Sequence, residues 1–159
     1  MRVQVPQTGT EWIGVAENFH RKWNFPNCLG ALDGKHITIR APQNSGSTFY
    51  NYKLCFSVVL MAAVDANYKF MYCDVGCNGR VSDGGVFAAC SLNAKLSRNT
   101  ANLPHPAALQ NGAGLLYFGT NEVCSYHMVA DDAFPLRDEI MKPYPFRKCT
   151  KEQSISIID

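Results

Sequence analysis

The chain has 159 residues, of which 47% are hydrophobic and 18% are charged. This length fits one domain with a buried core, and the composition excludes an intrinsically disordered chain. The formal net charge of +2 is too small to indicate nucleic acid or a membrane surface as a partner. The seven cysteines are odd in number and lie mostly in apolar runs, which favours free thiols in a reducing compartment over disulfide bonds.

The N-terminus carries no apolar segment typical of a signal peptide. The longest apolar run, residues 54–64, is too short to span a bilayer and contains Ser57. The sequence therefore predicts an intracellular protein that is not secreted and does not enter a membrane.

The first predicted element is an amphipathic helix over residues 10–23, with Thr10 as its N-cap. Its apolar positions recur at helical spacing and are Trp12, Val15, Ala16, Phe19 and Trp23. A strand is predicted next, over residues 29–40, and it carries Asp33 inside an apolar run. Asp33 followed by Gly34 is also a common turn dipeptide, so a turn is the alternative interpretation.

Two further strands are predicted over residues 54–64 and 68–75, joined by a tight turn at 65–67 as a hairpin. Ser82 or Asp83 can cap the following helix, which is predicted to continue through Leu92. Residues 97–121 lack periodicity, residues 126–130 read as a short strand, and a short helix is predicted through Ile140 and Met141.

This order predicts an α/β (α+β) fold with an RNase H-like core. The core would be a mixed sheet of three antiparallel strands plus a parallel strand, flanked by helices. In that topology the fourth strand lies beside the first, which makes Asp33 and Asp131 neighbours. Adjacent carboxylates repel one another unless a cation separates them, and oxygen ligands favour Mg²⁺ or Mn²⁺. The alternative for Asp131 is a cap or turn at the strand end.

Eight segments carry a more specific resemblance. They are WNFPNC (23–28), GALDGKH (30–36), SGS (45–47), YNYK (50–53), AVDA (63–66), GRVSDGGVF (79–87), VADDAFPL (129–136) and MKPYP (141–145). Together and in this order they resemble the catalytic domain of PIF/Harbinger-type DDE transposases and of the nucleases domesticated from them. Each segment alone is a weak signal, whereas the ordered set covers nearly the whole chain.

The resemblance implies a metal-dependent DNA endonuclease or transposase domain. It implies that Asp33 and Asp131 are the first two acidic residues of the catalytic triad and ligands of a divalent metal, Mg²⁺ or Mn²⁺. Asp83 would be an auxiliary residue near that site, with a helix-capping role as the alternative. DNA is the implied partner, together with a separate Myb-like DNA-binding protein, and the implied location is the nucleus, or the nucleus and the cytoplasm.

The third acidic residue of the family, a glutamate, is expected further downstream than this sequence extends, since Glu139 and Glu152 come too early. A catalytically inactive DNA- or protein-binding module, or a non-functional fragment, is therefore the alternative to an active nuclease. We expect three parts: an N-terminal helix and lead-in (1–27), an incomplete endonuclease domain (28–149) and a divergent tail (150–159).

Basic residues near these motifs are candidates for DNA contacts. Lys53 and Arg80 are the main candidates, and Arg137 and Lys142 are further ones. Solvated surface charge is the alternative for each of them. His36 follows Asp33 closely, and we expect either a packed supporting role or a DNA contact for it.

Overall fold

The computed structural model describes residues 3–108 and 123–143. It has a mixed α/β fold with a five-stranded sheet in the order β3-β2-β1-β6-β7. The helices are α1 (Gly9–Trp23), α2 (Asp83–Ala89) and α3 (Ser91–Ser97). The strands of the sheet are β1 (Cys28–Thr38), β2 (Ser57–Val64), β3 (Phe70–Asn78), β6 (His127–Val129) and β7 (Ile140–Met141). A separate pair of short strands consists of β4 (Ala107–Ala108) and β5 (Val123–Cys124).

Strand β1 lies at the centre of the sheet and organises the fold. It pairs antiparallel with β2, where Asp33 lies opposite Ala62, and parallel with β6, where Ala31 lies opposite Val129. The hairpin between β2 and β3 is closed by Asp65, whose carboxylate accepts hydrogen bonds from two backbone N–H groups of the turn. The predicted fold class is confirmed, including the parallel strand beside the first strand.

The core forms where the helices pack against the sheet. Helix α1 contacts β1, and α2 contacts both β1 and β2. Fully buried side chains of the core include Trp12, Phe87, Phe134, Met61 and Ile140. The Trp12 indole N–H donates to the Ala101 carbonyl at 2.9 Å, so its buried polar atom is satisfied.

Helix α1 begins earlier than the sequence predicts, and Thr10 is not its cap. Thr8 is extended, and its side chain accepts a hydrogen bond from the Glu11 N–H at 3.2 Å. Glu11 in turn accepts from the Gln7 N–H at 2.6 Å. A threonine followed three residues later by a glutamate is the capping-box signature, and it outweighs the single polar residue at position 10.

The helix predicted after Ser82 is two helices, with Ser82 as the cap of the first. Cys90 is extended, with φ −77° and ψ 157°, and ends α2 while capping α3. Its sulfur accepts from the Asn93 N–H at 3.4 Å, and the Asn93 amide donates to the Ala88 carbonyl at 2.9 Å. These side-chain bonds replace backbone bonds that a continuous helix would have made.

The short helix predicted through Ile140 and Met141 is wrong, because these residues form strand β7. Ile140 pairs in parallel with Met128 and is fully buried. Pairing with a core strand outweighs the local pattern there. Residues 144–159 and 109–122 lie outside the described residues, so the divergent tail at 150–159 and the proposed division into three parts stay predictions.

The described cysteines are free thiols, as expected from their odd number. In the described part of the chain, no helix has both the length and the apolar character needed to cross a bilayer.

Candidate active site

Asp33 and Asp131 lie at equivalent places on two adjacent parallel strands. Ala31 of β1 is paired with Val129 of β6. Asp33 comes two residues after Ala31, and Asp131 comes two residues after Val129. Neighbouring strands lie about 4.8 Å apart, so the fold brings together two carboxylates that are distant in sequence. Both side chains are exposed to solvent.

Both carboxylates are oriented by backbone N–H groups. Asp33 Oδ1 accepts from the Gly34 N–H at 2.8 Å, and Asp131 Oδ1 accepts from the Ala133 N–H at 2.9 Å. Each carboxylate keeps its second oxygen and its remaining lone pairs for another partner.

Asp83, the first residue of α2, approaches β1 at Gly34. A Cβ atom at Gly34 would overlap the Asp83 side chain, with the Asp83 Cβ atom 2.8 Å away, so a larger residue would force Asp83 to shift. A Cβ atom at Gly84 would lie 2.3 Å from the Ala133 carbonyl oxygen. These two glycines let the start of α2 approach both β1 and the loop that follows Asp131.

The loop after Asp131 is fixed by a buried aromatic residue. Phe134 is 1% exposed, and its ring packs edge-on against Phe87 of α2 at a centroid distance of 5.5 Å. Asp132 instead faces Lys142, with 3.2 Å between the Asp132 carboxylate and the Lys142 Nζ atom. The two consecutive aspartates therefore differ, because Asp132 is paired with a cation, whereas Asp131 has no such partner within the described parts of the chain.

Burial raises the pKa of the Asp83 carboxyl above its usual value. The negative charges of Asp131 and Asp33 raise this pKa further, while His36 and Lys53 lower it. Among the described residues, Asp83 Oδ1 is one of two buried side-chain polar atoms that lack a hydrogen-bond partner. The charges of Asp33 and Asp131 therefore act on the Asp83 carboxylate, whose buried Oδ1 atom has no hydrogen-bond partner among the described residues.

Three ligating side chains do not converge on a single point within residues 3–108 and 123–143. The arrangement consists of two exposed carboxylates, one in β1 and one directly after β6, and a third, partly buried carboxylate beside them. A cation at this place would draw on oxygen ligands only, which is the donor set that Mg²⁺ and Mn²⁺ prefer.

His36 is held beside this cluster by a chain of buried polar groups that sequence reasoning missed. Its Nδ1 atom lies 2.9 Å from Ser57 Oγ, and the Asn51 amide donates to Ser57 Oγ at 2.7 Å. Ser57 is fully buried and Asn51 is 4% exposed. The signal in the sequence was a serine inside the apolar run 54–64, because a buried hydroxyl needs partners.

The four basic candidates fall into two groups. The Arg137 guanidinium donates to Asn93 Oδ1 at 2.9 Å and Lys142 is paired with Asp132, so both are engaged within the fold. Arg80 is exposed, and the Lys53 ammonium lies 5.4 Å from the centre of the Tyr52 ring. Among the described residues, Lys53 and Arg80 are thus the two candidates whose side chains form neither an ion pair nor a hydrogen bond, and both are exposed to solvent.

A polar cavity of about 450 Å³ adjoins the acidic cluster. It is lined by His36, Tyr50, Asn51, Tyr52, Gly79, Arg80, Val81, Ser82, Asp83 and Ala133. Asp83 belongs to both features, so the cavity opens next to the carboxylates.

The fold and the adjacent carboxylates define a mixed α/β domain with an acidic site where the end of β6 meets the middle of β1. The sequence profile of the DDE superfamily endonuclease family matches residues 32–156 of this chain. Because the match covers most of the chain, the protein belongs to this family of endonucleases.

The chain is also similar to a curated plant protein. The chain is 28% identical over 132 residues to "Protein ALP1-like" of Arabidopsis thaliana. The aligned region covers 82% of this chain and 30% of that relative, so this chain spans less than a third of its length. No solved structure matches the chain significantly.

Proposed function

We propose that this chain is a metal-dependent DNA endonuclease domain of the Harbinger type, with Asp33 and Asp131 as the metal ligands. The observation that carries this proposal is the register of β1 and β6, which aligns Asp33 in β1 with Asp131 in the segment that directly follows β6. Membership of the DDE superfamily endonuclease family supports the reaction class.

The residues of the site fit a divalent cation. Two exposed carboxylates offer free oxygens, and the partnerless Asp83 Oδ1 is a third oxygen in the same region. A bound cation would also relieve the repulsion between the carboxylates. We infer that Mg²⁺ or Mn²⁺ is the ion, since the donor set has no nitrogen or sulfur.

When bound at such a site, a divalent ion lowers the pKa of water and stabilises charge on a phosphodiester. The chain's own residues would then hold the DNA strand. Lys53 and Arg80 offer positive charge to the phosphates beside the acidic cluster, while Asp33 and Asp131 keep their carboxylates in place through backbone N–H groups. Asp83 is an auxiliary oxygen ligand in this proposal.

We also propose a substrate, a cellular location and a partner for this protein. Its substrate would be DNA, its location the nucleus, and its partner a separate Myb-like DNA-binding protein. These three statements rest on the resemblance of the ordered motifs to PIF/Harbinger-type transposases.

Nicking of supercoiled plasmid in the presence of Mn²⁺ tests the proposal. We expect Asp33→Asn and Asp131→Asn to lower the nicking rate to below about one hundredth of the wild-type rate. Asp132→Asn is the matched control, because it removes the neighbouring carboxylate that faces Lys142, and it should leave nicking intact.

An unchanged nicking rate in Asp33→Asn would refute the assignment of the site. DNA binding that persists in EDTA, together with no nicking at any metal concentration, would favour an inactive binding module.

A further inference from the structure

The polar cavity beside Asp83 has features that the metal site alone does not require. Two tyrosines, Tyr50 and Tyr52, form part of its lining although they are 40% and 76% exposed. Exposed aromatic rings around a concave polar site are typical of surfaces that bind planar ligands. The volume of about 450 Å³ falls within the usual range for a site that encloses one small organic ligand.

The hydrogen bonds of His36 indicate which ring nitrogen it offers to this cavity. The Asn51 amide donates to Ser57 Oγ, and His36 Nδ1 lies 2.9 Å from the same oxygen atom. Nδ1 is thereby engaged with Ser57, and Nε2 is the ring nitrogen that remains to donate a hydrogen bond to a ligand. The edge-on contact with Tyr52, at a centroid distance of 5.6 Å, holds the ring from another side.

Positive charge lies at the rim of the same cavity. Arg80 lines it and is exposed, and Lys53 lies over the Tyr52 ring. The cavity therefore combines aromatic rings, a ring N–H donor and two cations. This set matches a nucleotide, which has a planar base with acceptor atoms and an anionic phosphate.

We propose that the cavity binds one unpaired nucleotide of a DNA strand. The base lies against Tyr52 and Tyr50, and the phosphate lies near Lys53 and Arg80. Because Asp83 and Ala133 also line the cavity, this nucleotide is next to the acidic cluster. The inference rests on the proposed endonuclease function, since it names how the DNA strand is held at that site.

Binding to two otherwise identical labelled duplexes tests this inference. One duplex is fully paired and the other has a single unpaired nucleotide, and fluorescence anisotropy in EDTA measures both dissociation constants at one salt concentration. We expect the full chain to bind the duplex with the unpaired nucleotide about tenfold more tightly, within the range that stacking of one base contributes.

Three tyrosine variants locate the effect. Tyr52→Ala should reduce the preference to near unity, whereas Tyr52→Phe should keep it because the ring remains. Tyr68→Ala is the matched control, since Tyr68 is 69% exposed and lines the apolar cavity instead. Equal affinity of the wild type for both duplexes would overturn the inference, as would a preference that survives Tyr52→Ala or is lost in Tyr68→Ala.

The two proposals fail in different ways. A preference for the unpaired nucleotide without any metal-dependent nicking would remove the endonuclease function and leave the nucleotide site. Nicking that depends on Asp33, without any preference between the two duplexes, would remove only the nucleotide site.

Discussion

Two cavities in the described part of the chain lie along the same strand, and they differ in chemistry. The apolar cavity, of about 260 Å³, lies beside α1 and is lined by Phe19, Trp23, Phe25, Cys28, Ala31, Val64, Asp65, Tyr68 and Val129. The polar cavity is larger, at about 450 Å³, and includes His36 and Asp83. Ala31 and His36 are five residues apart on β1, which corresponds to roughly 17 Å along the strand.

The titratable groups at the two cavities show the difference. Burial raises the pKa of the Cys28 thiol at the apolar cavity to about 11. At the polar cavity, burial also opposes the charge of Asp83, but His36 and Lys53 favour that charge. The apolar cavity therefore disfavours the charged form of Cys28, whereas charges of both signs meet at the polar cavity. In our proposal the polar cavity and the carboxylates beside it bind both a metal cation and a polyanion.

The largest expected change in stability comes from a substitution in the apolar cavity. Phe19 is 8% exposed, and Phe19→Ala should lower the free energy of unfolding by about 3 kcal/mol through lost packing. Urea titration followed by circular dichroism measures this loss. The preference for an unpaired nucleotide should remain in the variant, and its disappearance in folded Phe19→Ala protein would break the separation between the two cavities.

Substitution of Gly34 tests the close approach of Asp83 to β1 beside the polar cavity. Gly34→Ala places a methyl group against Asp83. We expect this variant to lose about 1–3 kcal/mol of unfolding free energy and to be stabilised less by Mn²⁺ than the wild type. Gly14→Ala is the matched control, because no atom lies within 4 Å of its Cβ position in α1. This control should gain up to about 1 kcal/mol of stability from helix propensity.

If the two glycine variants unfold at the same denaturant concentration as each other, the contact between Gly34 and Asp83 does not constrain the site. Denaturant midpoints at equal slopes make this comparison.

The pH dependence of stability should report on His127, which packs edge-on against Phe25 of the apolar cavity. Burial lowers its pKa, so the folded state binds the proton less tightly than the unfolded chain. Stability should be unaffected by His127 above about pH 6.5 and should fall as the pH drops below that value, by about 1 kcal/mol.

His127→Gln removes this titration and keeps an amide that can donate to the Ser125 carbonyl, which lies 3.2 Å from His127 Nδ1. Unfolding free energies of the wild type and the variant between pH 5 and pH 7 give the comparison (roughly the range in which an unperturbed histidine titrates). If the unfolding free energies of the wild type and of His127→Gln change in parallel with pH, the predicted role of His127 is contradicted.

The smallest expected change in stability is at Asp83, where stability falls as the pH rises, opposite to the trend at His127. The raised pKa of the Asp83 carboxyl means that the folded state loses stability as the pH rises and Asp83 ionises. In EDTA, Asp83→Asn should therefore unfold at a slightly higher temperature than the wild type. Because solvent screens the repulsion between Asp83 and the carboxylates of Asp33 and Asp131, we expect the free energy of unfolding to rise by less than about 1 kcal/mol. A lower unfolding temperature in EDTA would contradict the cost assigned to this carboxylate.

The sheet and the placement of Asp33 beside Asp131 could be predicted from the sequence because long patterns indicate the fold, whereas the role of these aspartates as metal ligands stays a prediction. Alternation, the apolar run and the ordered motifs all indicate β1 and β2, and the parallel strand follows from the fold class. Asp131, rather than Asp132, was predicted from motif register, and the pairing of Asp132 with Lys142 is compatible with that choice.

Other features depend on tertiary contacts that no local pattern encodes. Strand β7 exists because Ile140 pairs with Met128. The chain from Asn51 through Ser57 to His36 joins three positions only after β1 and β2 have paired. The contact of Asp83 with Gly34 likewise needs α2 to pack on the sheet. Sequence spacing alone cannot predict contacts of this kind.

Metal-induced stabilisation tests the central claim most directly, because it depends on binding and not on catalysis. The thermal unfolding midpoint of the full chain is measured in EDTA and in excess Mn²⁺ for the wild type, Asp33→Asn, Asp131→Asn and Asp132→Asn. A ligand at about 100 times its dissociation constant adds about 2.7 kcal/mol to the stability of the folded state. We predict that Mn²⁺ raises the midpoint of the wild type and of Asp132→Asn but not those of Asp33→Asn and Asp131→Asn. A rise that persists in Asp33→Asn, or no rise in the wild type, would contradict the claim that these two aspartates form the metal site.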